Sequence, residues 1–237
     1  MSTIAENLQA VTNTIAAAAQ QAGRAPDSVQ LLAVSKTFGA DAVLAAMQAG
    51  QRTFGENYLQ EALDKMAAVA AATAMPDQVP EWHFIGPIQS NKTRPIAEHF
   101  SWVHTVEREK IAARLSEQRP DGMAPLNICL QVNISGEASK SGVAPADLPA
   151  LAAAVARLPR LRLRGLMAIP EPVDDEARQR AAFAQLRELA EQLRGTGLAL
   201  DTLSMGMSAD LRAAIVEGAT IVRVGSAIFG ARTYAAA

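Results

Sequence analysis

Lys36 stands just beyond the apolar run Leu31–Val34, separated from it only by Ser35. An amine at a desolvated strand end can have its pKa lowered and become a nucleophile toward carbonyl compounds. The plainer reading is a solvated lysine that closes a strand. A second constellation is Ser204-Met205-Gly206-Met207-Ser208, joined later by Val224-Gly225-Ser226. Glycines let backbone N–H groups approach an anion, and serine hydroxyls add donors, so these two segments fit a phosphate cradle. They also fit ordinary turns with Ser208 as an N-cap; a cap and an anion site use the same orphan amides. Arg223 comes two residues before Gly225. A guanidinium inside a core stays charged and must find acceptors, in a ligand or in a structural carboxylate.

Other polar residues carry weaker signals. His83 reads as a polar barrel lining or a satisfied core histidine, with structure favoured. His99 and His104 do not combine with acidic neighbours into metal-binding spacing, so no metal site is expected. Gly136 to Ser141 superficially looks like a phosphate-binding loop but lacks the glycine before Lys140; a flexible loop is the better reading. Cys129 is the only cysteine, which excludes an intrachain disulfide, and it alternates within an apolar strand.

These residues need elements to position them. Short apolar runs predict eight strands at Leu31–Val34, Thr53–Phe54, Trp82–Ile85, Trp102–Thr105, Ile128–Val132, Leu161–Met167, Thr202–Met205 and Ile221–Val224. Thr53–Phe54 is the weakest of them. Segments of helical length lie between, over about 40–49, 58–72, 92–99, 107–118, 147–157, 175–194 and 209–217. Asn57, Asp147 and Ser208 suit N-caps, while Gly50 and Gly195 suit the position after a helix. Residues 3–22 place Ile4, Leu8, Val11 and Ile15 at helical spacing, an extra N-terminal helix. Strand–helix alternation predicts a parallel sheet, and eight units favour a single (β/α)8 barrel over an open doubly wound sheet. Such a barrel gathers its chemistry where strands end, at Lys36, Asn57, Ser208, Arg223, Gly225 and Ser226 among others.

The 237 residues carry 22 basic and 24 acidic side chains, so a polyanionic nucleic-acid partner is not expected. A hydrophobic share of 49% fills a sizeable core, yet no run approaches the ~20 apolar residues that span a bilayer. The N-terminus lacks the basic start of a secretory signal. These features predict a cytoplasmic protein.

Six segments, in order and spacing, carry a resemblance across nearly the whole chain. They are Ala33–Lys36, Phe54–Tyr58, His83–Lys92, Gly165–Pro170, Leu203–Asp210 and Val222–Gly230. Together they resemble the pyridoxal phosphate homeostasis family (YggS/PROSC type), related to the N-terminal barrel of alanine racemase. The resemblance implies one fold-type III domain over residues 1–237 that binds pyridoxal 5′-phosphate (PLP). It implies that Lys36 holds the cofactor as an aldimine, that Ser208, Gly225 and Ser226 hold its phosphate, and that Arg223 faces the pyridine nitrogen. Asn57 and the backbones of Met167 and Met205 would line the pocket, and Lys140 matches a lysine associated with secondary PLP binding.

The family reading favours a PLP binder in intracellular homeostasis, with no catalytic residues assigned and possible delivery of PLP to apoenzymes. The alternative is an amino-acid racemase-like PLP enzyme. A two-base racemase needs an acid/base on each face of the cofactor, and the only tyrosines here are Tyr58 and Tyr234. An arginine at the pyridine nitrogen also weakens the ring as an electron sink. A Schiff-base aldolase-like barrel using Lys36 is a third, weaker reading. The chain is expected to be monomeric.

Overall fold

The computed structural model describes residues 3–73, 79–136 and 141–231. Helix α1 (Ile4–Gln21) comes first and is closed at its start by a capping box between Thr3 and Glu6. Eight strand–helix units then follow in order. They are β1 (Gln30–Val34), α2 (Ala40–Gln48), β2 (Thr53–Glu56), α3 (Leu59–Ala72), β3 (Glu81–Phe84), α4 (Thr93–His99), β4 (Trp102–Val106) and α5 (Glu109–Gln118). The second half holds β5 (Leu126–Gln131), α6 (Leu148–Ala156), β6 (Leu161–Met167), α7 (Glu176–Gly195), β7 (Thr202–Ser204), α8 (Leu211–Val216), β8 (Ile221–Val224) and α9 (Ser226–Phe229). The strands close into one parallel barrel, β1 to β8 in sequence order, which settles the choice against an open sheet.

Alternation along each strand divides the core in two. Outward side chains such as Phe54, Phe84, Val103, Leu166 and Val222 pack beneath the helices. The barrel interior holds a small aliphatic cluster, Leu32, Val34, Ile85 and Ile221, and a separate one of Trp102, Cys129 and Met167. Cys129 is fully buried there, and burial pushes its thiol up to about 12.

Local chemistry differs from expectation at several ends. The N-caps of α3 and α8 are Tyr58 and Asp210, not Asn57 and Ser208, because the chain runs on past those residues before turning into helix. Asp147 is an N-cap but makes no side-chain cap bond. Gly195 is the last residue of α7, and the left-handed position falls on Gly197 at φ +95°. Among the described residues no helix is long and apolar enough to cross a membrane.

Candidate functional site

Strand register dictates which loops meet. Leu32 pairs with Arg223 and Ala33 with Val224, so the β1 end carrying Lys36 lies beside the β8 end carrying Gly225 and Ser226. Val34 pairs with Gly55, which brings Asn57 to the other flank of Lys36. The amide of Arg223 donates to the carbonyl of Gly206 at 2.9 Å, tying the loop after β7 to β8. A cavity of about 300 Å³ opens at this seam, lined by Lys36, Asn57, Ser208, Arg223, Gly225 and Ser226 together with Val34, Ile85, Ile169, Met207 and Ala209. Residues scattered over almost two hundred positions become one site on closure.

Each wall has a physical cause. Gly206 adopts φ +94° and lies where an added Cβ would meet that of Ala214 at 2.5 Å, so the loop can fold flat against α8. The amide of Met207 donates to Asp210 Oδ1 at 2.6 Å and closes the turn that presents Ser208. Burial raises the pKa of that carboxyl, against the pull of the Met207 amide and Arg223. Gly86 provides a close approach: a Cβ there would come within 2.1 Å of the Asn57 carbonyl. Only glycine lets the end of β3 pass and hold Asn57 in place.

Arg223 is buried and donates from Nη1 to Ser204 Oγ at 2.7 Å and from Nη2 to the carbonyl of Ala168 at 2.9 Å. Burial lowers its pKa to about 10, so it remains a cation at neutral pH. An unpaired buried cation costs several kcal/mol, and these two bonds plus the cavity on its flank offset part of that. Asn57 Oδ1 is buried without a hydrogen-bond partner, an exception to the rule that buried polar atoms are paired.

Sequence reasoning missed the support under Lys36. Lys65 of α3 is buried, and its Nζ donates to the Ser35 carbonyl at 2.8 Å, Glu56 Oε1 at 2.6 Å and Glu61 Oε1 at 3.0 Å. Ser35 Oγ donates to Glu56 Oε1 at 2.6 Å. Thr37 takes a left-handed φ of +69°, and its amide donates to Glu61 Oε1 at 2.6 Å. Lys36 is thus gripped through both neighbours. The signal was present: Lys65 falls on the apolar stripe of Ala62 and Val69, where a lysine needs a buried partner.

Met167 and Met205 are not among the cavity-lining residues. Met167 points into the barrel toward Trp102 and Cys129, and Met205 into the outer core, while their near neighbours Ile169 and Met207 reach the cavity. Lys140 and Tyr234 lie outside the described residues. Among the described residues no group of three or more metal-ligating side chains occurs.

An amine, a buried cation and a hydroxyl-rich double turn in one cavity suit a small phosphorylated carbonyl compound. A parallel eight-stranded barrel with this site is the class of the racemase-type barrels. The chain belongs to the family described as alanine racemase, N-terminal domain, whose profile matches residues 7–233. A protein of Pseudomonas aeruginosa named pyridoxal phosphate homeostasis protein is 68% identical over 236 residues, covering 100% of this chain and 99% of the relative. PipY of Synechococcus elongatus has been solved without PLP, with a TM-score of 0.84 at 41% identity over 96% of this chain and all of PipY. It has also been solved with PLP bound, with a TM-score of 0.82 at 40% identity over the same shares. Alanine racemase of Corynebacterium glutamicum reaches a TM-score of 0.67 at 18% identity over 96% of this chain and 62% of the enzyme, a likeness of fold alone.

Proposed function

We propose that this chain binds PLP and serves its homeostasis, holding the cofactor covalently through Lys36. The observation that carries the reading is the shared cavity of Lys36, Arg223, Ser208 and Ser226. The fit is specific in kind. PLP brings an aldehyde, a phosphate and a ring nitrogen, and the cavity offers an amine, two serine turns and a guanidinium. When bound, PLP supplies a reactive aldehyde carbon and an electron-withdrawing ring.

The protein's own residues divide the work. Lys36 presents its amine from a loop fixed on both sides by Lys65 and Glu61. The turn before α8 and the first turn of α9 present the amides of Ser208, Ala209, Ser226 and Ala227, none of which donates to a backbone carbonyl, beside the two exposed serine hydroxyls. Arg223 only donates, so it favours an unprotonated ring nitrogen opposite it. Asn57 closes the cavity wall on the β2 side of Lys36.

The proposal extends to delivery of PLP to apoenzymes by a monomer in the cytoplasm. A racemase reading draws on the fold likeness alone, whereas the homeostasis reading draws on a relative matched over 99% of its length.

The test has two arms. PLP added to the apo chain should give an absorption band that Lys36→Ala abolishes, and borohydride reduction should place the pyridoxyl group on Lys36; label found only elsewhere sinks the assignment. Loaded protein mixed with an apoenzyme, with and without a trap for free PLP, reports direct transfer. Robust amino-acid racemisation by the loaded chain would instead favour the enzyme.

A further inference from the structure

Arg223 sits at one end of a row of polar side chains that crosses the barrel between its two apolar clusters. Its Nη1 is 2.7 Å from Ser204 Oγ, and that oxygen is 2.8 Å from His104 Nδ1. His104 Nε2 lies 2.9 Å from His83 Nδ1, and His83 Nε2 lies 2.9 Å from Glu81 Oε1. Ser204, His104 and His83 are wholly buried, whereas the Glu81 side chain is 42% exposed. Glu81 opens β3, so the row ends at the face of the barrel opposite the cavity.

The chemistry of the two ends gives this row a direction. A guanidinium has donors only, so Ser204 Oγ must accept from Arg223. At the other end the ionised Glu81 carboxylate only accepts, so His83 Nε2 carries a proton and donates to it. Nδ1 of neutral His83 is then an acceptor and takes the proton of His104 Nε2, which leaves His104 Nδ1 to accept the hydroxyl hydrogen of Ser204. A row running the other way would need the Glu81 carboxylate to donate, which it cannot do when ionised. Burial lowers the pKa of both imidazoles, and more strongly for His104, which agrees with neutral rings. His83 is also held in plane by Trp102, stacked at 5.2 Å and 9°, with Arg164 over that indole at 4.7 Å.

We infer that Glu81 is a remote positioning residue for Arg223, acting through a one-way relay of Ser204, His104 and His83. The functional side of this inference rests on Arg223 facing the cofactor, as proposed above. The relay sets which donors of the guanidinium point inward to Ser204 and which remain for the cavity. It also gives both buried barrel histidines a partner on each ring nitrogen.

Long-range ¹H–¹⁵N correlation on the full chain without cofactor tests the relay, with His99→Gln and Arg223→Lys variants used for assignment. His83 and His104 should both appear as neutral Nε2–H tautomers. Glu81→Gln should keep them, since an amide oxygen still accepts, and Glu81→Ala should populate the Nδ1–H form of His83 and move the Arg223 guanidinium resonances. An Nδ1–H or imidazolium form in the wild type overturns the relay, as does a Glu81→Ala variant with unmoved resonances. In the loaded protein the PLP absorption band should shift in Glu81→Ala and not in Glu81→Gln. A band unchanged in both, with tautomers altered, overturns the reach of Glu81 to the cavity. A wild type with these tautomers that binds no PLP supports the relay and overturns the proposed function.

Discussion

The amide of Thr37 donates to Glu61 Oε1 across 2.6 Å, and the same oxygen accepts from Lys65. A left-handed threonine costs on the order of 1–3 kcal/mol. Here that conformation turns the chain sharply after Lys36, and the charge cluster on α3 holds it. The lysine that reaches into the cavity is therefore positioned by a second lysine that does not.

Removing the second lysine should be severe. Lys65→Met leaves Glu56 buried without its cation, and loss of one partner of such a pair costs about 3–5 kcal/mol. Urea unfolding should show that loss, with weaker PLP binding. The double variant Glu56→Met/Lys65→Met should recover part of the stability; no recovery would mean that the cluster acts mainly through Ser35 and Thr37.

A carboxylate at the double turn should oppose a phosphate without touching the fold. Ser226 is exposed, so Ser226→Asp is expected to keep the wild-type Tm while weakening PLP binding roughly tenfold, about 1.4 kcal/mol. Pyridoxal, which lacks the phosphate, should bind the variant as it binds the wild type. Equal weakening of both ligands would move the phosphate elsewhere.

Gly86 admits no side chain. Gly86→Ala should destabilise by about 1–3 kcal/mol, the usual cost of forced overpacking, because the Cβ overlaps the Asn57 carbonyl. Thermal unfolding measures this, and a PLP titration should show weaker binding as Asn57 is displaced. A variant with wild-type stability and affinity would show that β3 can shift freely there.

The relay histidines predict a pH dependence of stability. Both have folded pKa values below 6.5, so the unfolded chain binds more protons than the folded one in acid. Their contribution is complete above about pH 6.5 and is lost as pH falls through the folded values, with a slope near 1.4 kcal/mol per pH unit for each proton taken up. Urea unfolding between pH 5 and 8 should show this decline, and His104→Asn should flatten it. A stability that rose on acidification through this range would contradict neutral buried rings.

Much of the fold is legible before folding is considered. β6 and β8 fall on the residues that their β-branched and leucine-rich runs mark. β2 is harder, since Gly55 and Glu56 have little strand preference; pairing with Val34 on one side and with His83 and Phe84 on the other extends it past Phe54. The four-residue α9 gives no periodicity to read. At the site, Lys36, Asn57, Ser208, Arg223, Gly225 and Ser226 stand where strands end, which sequence pattern can find. His83, His104 and Ser204 are different. They lie inside separate strands, and His104 and Ser204 are 100 positions apart, so only barrel closure makes them neighbours.

The seam between β1 and β8 has a consequence for the timing of synthesis. β1 leaves the ribosome well before β8, yet β8 is one of its two neighbours in the closed barrel. Until β8 emerges, Lys36 has no Arg223, Gly225 or Ser226 beside it. A nascent chain therefore has no finished cavity at this seam, and the walls of the site come together only once β8 is in place.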